Sequence, residues 1–136
     1  MYMTTDVETL GTEIHDSLNG ESQSALRSIV AYKPTDYSVI YMRDDVEMKY
    51  SASEIETAVE QLRFQSLEEA YLNEVFAGVH GEFECHIDVF TRAAEFNFVV
   101  ADGTGVEVAF DTDVLAANDD LVTKLRDLIV SHSQSE

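Results

Sequence analysis

The sequence predicts a single α+β domain in which helices pack on a five-stranded antiparallel sheet, in the order α-β-β-α-β-β-β-α. Apolar residues recur at helical spacing near the start, in the middle and near the end of the chain. Between these stretches lie two blocks of alternating or β-branched residues, joined by short turns. A length of 136 residues fits one domain with a sizeable core. We expect order from about residue 5 to residue 131.

The first helix is predicted over residues 5–18. Thr5 and Glu8 have capping-box spacing at its start. The apolar residues on one helical stripe are Val7, Leu10, Ile14 and Leu18. A β-hairpin follows, because residues 26–32 and 37–42 are rich in β-branched and aromatic residues and Pro34 sits in the turn between them.

The middle of the chain predicts a kinked helix, or two abutting helices, over residues 53–76. Ser53 with Glu56, and Ser66 with Glu69, have capping-box spacing. The first apolar stripe consists of Ile55, Ala58, Val59 and Leu62. The second stripe has a different phase and consists of Phe64, Leu67, Tyr71 and Val75.

Three further strands and a last helix complete the domain. In residues 82–90, we expect Phe83, Cys85, Ile87 and Val89 to be buried and the alternating Glu84, His86 and Asp88 to be exposed. Residues 96–101 predict a central strand, 102–105 a tight turn and 106–110 the fifth strand. The last helix is capped by Asn118. We expect the strand order β2-β1-β5-β4-β3.

This order of elements resembles roadblock and profilin-like domains over about residues 5–130. That resemblance implies a domain that dimerises and binds protein partners such as small GTPases. Residues 41–46 (Tyr-Met-Arg-Asp-Asp-Val) and 62–67 (Leu-Arg-Phe-Gln-Ser-Leu) are similar to a family of small haloarchaeal proteins of unknown function. The second resemblance implies a halophilic source and no particular activity.

The charge of the chain predicts a saline environment. The sequence has 27 Asp and Glu against 8 Lys and Arg, a formal net charge of −19. Such a chain repels itself in dilute buffer, and molar salt shortens the Debye length to ~3 Å and screens that repulsion. We therefore expect a halophile protein whose acidic surface holds solvated monovalent cations.

Several classes of function are disfavoured by composition. The basic residues are few and scattered, so we expect no binding to nucleic acid or to anionic membranes. No apolar run approaches the ~20 residues that span a bilayer, and residues 1–9 do not resemble a secretion signal. The single Cys85 cannot form an internal disulfide. We expect a cytoplasmic protein.

Chemistry-bearing residues form no recognisable catalytic or metal motif. Asp44-Asp45 and Asp111 to Asp113 are carboxylate pairs at predicted strand ends, and they could act in catalysis or simply cap helices. His80, Cys85 and His86 are close in sequence, but zinc requires four convergent ligands. An enzyme using Asp44, Asp45 or His86 is therefore the least favoured hypothesis, and we expect no cofactor and no metal.

Interaction is the favoured function. The second stripe of the middle helices has more apolar surface than one helix face needs, so it faces a partner unless both stripes pack in the core. The candidate partner-binding residues are Arg43, Phe64, Leu67, Tyr71, Leu72, Val75 and Phe76. Arg43 either contacts a partner or anion or forms a local ion pair. We expect a non-enzymatic regulatory or interaction module, a homodimer by default, with a small-ligand sensor as the alternative.

Overall fold

A computed structural model describes residues 6–114 and 120–134 of the chain. Within these ranges there are six helices and one five-stranded sheet. The helices are α1 (Val7–Ser17), α2 (Gly20–Ser24), α3 (Asp44–Glu47), α4 (Ala52–Ser66), α5 (Glu69–His80) and α6 (Leu121–Gln134). The strands are β1 (Leu26–Tyr32), β2 (Tyr37–Met42), β3 (Cys85–Val89), β4 (Ala93–Ala101) and β5 (Thr104–Asp111). Thr5 and Asn118, expected to cap helices, lie outside the described residues.

The sheet is antiparallel throughout, with the strand order β2-β1-β5-β4-β3. The predicted fold class and strand order are therefore confirmed. The bounds of β1 and β2 also match the prediction, because the β-branched and aromatic runs begin and end sharply at the hairpin turn. The short helix α2 was not predicted. A helix cap was one of the two interpretations of Asp44-Asp45, and α3 begins there, with Arg43 as its N-cap.

The sheet has helices on both faces. On the first face, α1 packs on β1, β2 and β5 and also contacts α6. The main core lies there and includes Leu10, Ile29, Phe96, Val108, Phe110 and Leu125. On the second face, α4 packs on β4 and β5 over a smaller core of Val30, Tyr32, Val59 and Leu62.

The middle helices are two abutting helices, as one of the predicted alternatives had it. Their caps differ from the expected ones. The N-cap of α4 is Ser51, whose hydroxyl accepts a hydrogen bond from the Glu54 backbone N–H at 3.2 Å while the Glu54 side chain binds the Ser51 N–H. This capping box begins two residues before the expected Ser53, because the serines at 51 and 53 offer the same spacing to a glutamate.

The edge strand β3 departs from its predicted burial pattern. Ile87 and Val89, expected to be buried, are 42% and 60% exposed. The alternation in sequence is real, but α1 covers the other half of the sheet, over β1, β2 and β5, and leaves this edge open. The strand β4 begins at Ala93, three residues before its predicted start, and so includes Glu95.

Candidate functional site

The helix α5 is apolar yet hardly packed against the domain. Within the described chain, none of its residues is buried. Large apolar side chains from the end of α4 to the end of α5 are 44–86% exposed, and we call them the α5 face: Phe64, Leu67, Tyr71, Val75, Phe76 and Val79. Leu72, also a candidate, is only partly buried. The backbone angles at Leu67 and Glu68 stay near helical values, so the helical rotation of side chains continues almost unbroken from α4 into α5.

The size of the α5 face is unusual for a free surface. A large aromatic side chain has roughly 150–250 Å² of surface, and an aliphatic one has less. Three aromatic and three aliphatic side chains that are 44–86% exposed therefore offer roughly 600 Å² of apolar surface in sum. The largest apolar patch of a typical monomer covers about 300–600 Å², and one side of a standard protein interface covers about 800 Å². The summed apolar surface of the α5 face therefore reaches the upper end of the range for a monomer and approaches one side of an interface.

The end of α4, from which α5 leaves, is tied to the sheet by Ser66. The Ser66 hydroxyl accepts a hydrogen bond from the Gly103 N–H at 2.7 Å and donates one to the Arg63 carbonyl at 2.6 Å. Gly103 lies in the β4–β5 turn with φ 69°, a conformation that favours glycine. Ser66, expected to cap the second helix, instead fixes the first helix to this turn.

A second anchor runs through the buried Asn97 of β4. Its amide donates to the Leu62 carbonyl at 3.2 Å and to Gln65 Oε1 at 3.0 Å, and its oxygen accepts from the Tyr32 hydroxyl at 2.5 Å. Gln65 in turn donates to Asp88 of β3 at 2.9 Å. These bonds connect the last turn of α4 to β3 and β4, so the helix end from which α5 leaves is anchored to the sheet.

Arg43 is a structural ion-pair residue in this conformation. Its guanidinium donates two hydrogen bonds to Asp111, at 2.9 and 3.0 Å, two to Asp45, at 2.7 and 3.2 Å, and one to the Ser24 carbonyl at 3.2 Å. Its side chain is 25% exposed. Arg43 lies at the end of β2, away from the element that carries the α5 face, so the structure does not bring it to the other candidate residues.

The carboxylates and histidine considered for catalysis do not converge. Asp44 and Asp45 follow β2, and His86 lies on β3, at the opposite edge of the sheet. His86 Nε2 is 3.2 Å from the Gln65 carbonyl oxygen and 3.8 Å from Glu68 Oε1. Asp45 binds Arg43.

Metal and membrane sites have no support among the described residues. Residues 6–114 and 120–134 contain no group of three or more His, Cys, Asp or Glu side chains placed to hold a metal ion. In the same ranges, no helix combines the length and the apolarity required to cross a bilayer. Burial raises the pKa of the Cys85 thiol to about 11, with a smaller contribution from Glu84, so this cysteine is a poor nucleophile.

A pocket of about 80 Å³ lies between α4 and the second face of the sheet. Its apolar walls include Val30, Val46, Ile55, Val59 and Leu62. Its polar side chains are Arg27 and Ser28 from β1, Tyr50 just before α4, Glu95 from β4 and Glu107 from β5. Glu95 and Glu107 are diagonal neighbours on one face, because Glu95 pairs with Ala109 and Asn97 pairs with Glu107.

Glu107 is an uncommon residue for the middle of a central strand. Its side chain is 6% exposed, and both of its oxygens lie 3.1 Å from the Ser28 hydroxyl. Burial raises the pKa of Glu107 well above its usual range, the nearby Glu95 raises it further, and the Ser28 hydrogen bond lowers it. Burial also raises the pKa of Glu95, helped by Asp88 and opposed by Arg27.

Comparison with known proteins identifies a family. A family model described as a domain of unknown function, DUF7522, matches residues 12–130. The chain belongs to the DUF7522 family. Neither the curated proteins nor the solved structures yield a match to it. The matched range contains both the α5 face and the pocket, so both features lie within the DUF7522 domain.

The surplus of apolar residues on the α5 face was predictable from the sequence of this DUF7522 domain, whereas the pocket was not. The available signal was Glu107 itself, an acid flanked by Val106 and Val108 in a strand predicted to be central. A charged residue in such a strand is rarely buried without a partner. Among 27 acidic residues this signal was easily overlooked.

Proposed function

We propose that this DUF7522 domain is a non-enzymatic interaction module that forms a homodimer through the α5 face. The single observation that carries the proposal is the exposure of the large apolar side chains of α5 on a helix with no buried residue in the described structure. An apolar helix of this kind gains stability only when another surface covers it. The Ser66 and Asn97 anchors support the proposal, because a preorganised surface loses less conformational entropy on binding.

A second copy of the chain is the occupant that we propose. A two-fold contact pairs the α5 face with itself and covers roughly 600 Å² of apolar surface on each copy. The acidic Glu68, Glu69 and Glu74 alternate in sequence with the apolar residues of the face, and their charges repel a second copy at low ionic strength. Molar salt screens this repulsion, so the dimer strengthens as KCl is raised. A basic partner would show the opposite salt dependence.

The proposed setting is the saline cytoplasm of a halophile. The net charge of −19 supports it, because in such a medium the surface carboxylates are screened and hold hydrated monovalent cations. A charge of this size in dilute buffer would oppose both folding and dimerisation.

Light scattering coupled to size exclusion in molar KCl tests the dimer. We expect a dimer for the wild type and a monomer for Tyr71→Glu, because a buried carboxylate at the centre of an apolar contact is costly. Met48→Glu is the matched control: Met48 is 86% exposed and lies outside α5, so the same added charge leaves the dimer intact. A wild type that is strictly monomeric across the KCl range contradicts the proposal.

A small-ligand sensor is the second candidate function, favoured by the pocket that contains Glu107. Ligand binding to the native state raises its apparent stability, so a thermal-shift screen in molar KCl tests this candidate independently of the dimer.

A further inference from the structure

The pocket under α4 contains a buried carboxylate with too few hydrogen-bond donors. A carboxylate offers about four acceptor positions on its two oxygens. In the described part of the chain, the single hydroxyl of Ser28 is the hydrogen-bond donor to Glu107, and it supplies one proton to two oxygens at 3.1 Å each. The remaining acceptor positions of Glu107, which is 94% buried, face a pocket of about 80 Å³.

The charges around the pocket favour a cation. Glu95 lies on the same face as Glu107, two pairing positions along the β4–β5 ladder, and lines the same pocket. Arg27, the one basic residue of the lining, already donates to Asp111 at 3.0 Å. When both are ionised, the two carboxylates face one guanidinium that also pairs with Asp111, so a net negative charge remains in the pocket. Burial and Glu95 raise the pKa of Glu107, which favours its protonated form when no cation is bound, whereas a bound cation favours the ionised form.

The walls and the size of the pocket favour an organic cation over a bare ion. Val30, Val59 and Leu62 are at most 7% exposed and give the pocket an apolar lining. An apolar cavity of roughly 150 Å³ accommodates a benzene ring. A pocket of about half that volume accommodates an ammonium head and a short alkyl chain. An ammonium group donates three hydrogen bonds, which is the donor type that Glu107 lacks.

We propose that the pocket between α4 and the sheet binds a small primary alkylammonium cation, with the ammonium on Glu107 and Glu95 and the alkyl chain against Val30, Val59 and Leu62. Glu107 makes charge-assisted hydrogen bonds to the ammonium. Glu95 adds a second negative charge, and Tyr50, which is 45% exposed, also lines the pocket. The inference specifies a ligand class for the sensor candidate, and it does not depend on dimerisation through the α5 face.

Isothermal titration calorimetry with n-propylammonium chloride in molar KCl tests this site. Propionate and n-propanol have a similar size, with negative charge and no charge, and serve as ligand controls. We expect saturable binding of propylammonium alone. Saturable binding of propanol with equal affinity would overturn the proposal, because the carboxylates would then be irrelevant. The absence of propylammonium binding at millimolar concentrations, in KCl and in dilute buffer alike, would overturn it as well.

Three variants assign the binding to the acidic pair. Glu107→Gln, which keeps the side-chain shape, is expected to weaken propylammonium binding about tenfold or more. Glu95→Gln is expected to weaken it less. Glu56→Gln, on the exposed side of the same helix α4, is the matched control and leaves the affinity unchanged. Circular dichroism of each variant verifies folding. Unchanged affinity in a folded Glu107→Gln variant contradicts the proposal, and Glu95→Gln provides the same test if the first variant does not fold.

Discussion

The Arg43 guanidinium donates two hydrogen bonds to the Asp111 carboxylate, from Nη1 to Oδ2 at 2.9 Å and from Nη2 to Oδ1 at 3.0 Å. Arg27 Nη1 adds a third hydrogen bond to the same carboxylate, at 3.0 Å. The three residues lie on or next to β2, β5 and β1, so one carboxylate ties together three neighbouring strands of the sheet. The hydrogen bond from Arg43 lowers the pKa of Asp111, and the Arg27 hydrogen bond lowers it further.

The Arg43–Asp111 pair is expected to stabilise the fold. We expect Asp111→Asn to lower the free energy of unfolding by about 1–2 kcal/mol, because it replaces charge-assisted hydrogen bonds in a partly exposed site. Since the pKa of Asp111 is lower in the folded chain, its contribution is complete above the unfolded pKa and is lost as the pH falls through the folded pKa. Urea unfolding at neutral and acidic pH measures both effects.

A matched carboxylate on the surface provides the control for this experiment. Asp127 accepts hydrogen bonds from Arg126 at 3.1 and 2.7 Å, but its side chain is 63% exposed. We expect no measurable loss of stability for Asp127→Asn. Equal effects of the two substitutions would contradict a structural role for Asp111.

Salt is expected to stabilise the monomer as well as the dimer. With a net charge of −19, the acidic side chains lie closer together in the folded chain than in the unfolded chain, so their mutual repulsion is stronger in the folded state. The urea midpoint should therefore rise as KCl increases from millimolar to molar concentration, most steeply at the low end, where the Debye length changes most. Tyr71→Glu, expected to be monomeric, separates this effect from dimerisation. A urea midpoint that does not change with KCl would contradict the screening argument. Sucrose is the control, because it stabilises folded proteins by exclusion from their surface and does not screen charge.

Much of the fold was predictable, since its signals are local. The hairpin of β1 and β2 follows from two β-rich runs around Pro34. The expected strand order is confirmed, but the pairing of β1 with β5 joins distant parts of the chain and has no local signal in the sequence. The exposure of Ile87 and Val89 was not predictable, because alternation shows that a strand has two distinct faces but does not show whether a helix covers one of them.

Of the two candidate sites, one was predictable from the sequence and the other was not. The α5 face was predictable because its apolar stripe is out of phase with the stripe of α4 that packs on the sheet, whereas the pocket depends on long-range strand pairing. Glu95 and Glu107 are 12 positions apart, and only the register of β4 against β5 places them together. The role of Arg43 also depends on a distant residue, because Asp111 is 68 positions away.

Gly105 at the start of β5 is expected to tolerate no side chain. A Cβ there would lie 2.5 Å from the Phe98 carbonyl oxygen and 2.6 Å from the Tyr32 hydroxyl. The first contact is with backbone, and Tyr32 is fully buried and bonded to Asn97, so neither neighbour can move freely. We expect Gly105→Ala to cost about 1–3 kcal/mol, as overpacking of a core does. Thermal and urea unfolding measure the loss.

Gly78→Ala is a control for which we expect the opposite change in the free energy of unfolding. It lies inside α5, and a Cβ at this position meets nothing within 4 Å. Alanine favours the helix and restricts the unfolded chain, so Gly78→Ala should raise the free energy of unfolding by about 0.5–1 kcal/mol if α5 unfolds with the domain. If Gly105→Ala were instead as stable as the wild type, the close approach of β5 to Tyr32 would be wrong.

Glu107 is expected to make the fold less stable as the pH rises. Its pKa is raised in the folded chain by burial first and by Glu95 second, with Arg27 lowering the pKa of Glu95 in turn. The folded state therefore binds more protons than the unfolded state between the unfolded and folded pKa values, and stability falls with rising pH across that window by at most about 1.4 kcal/mol per pH unit for one proton. The pH dependence of stability that Glu107 causes is therefore opposite in direction to that of Asp111.

The variant Glu107→Gln tests this prediction, because glutamine cannot ionise. Its free energy of unfolding should exceed that of the wild type by a growing margin as the pH rises through the window. The control Glu56→Gln should follow the wild-type curve. Parallel pH profiles for wild type and Glu107→Gln would contradict this prediction, because they would mean that the Glu107 carboxylate is solvated in the folded chain and not buried among β1, β5 and α4.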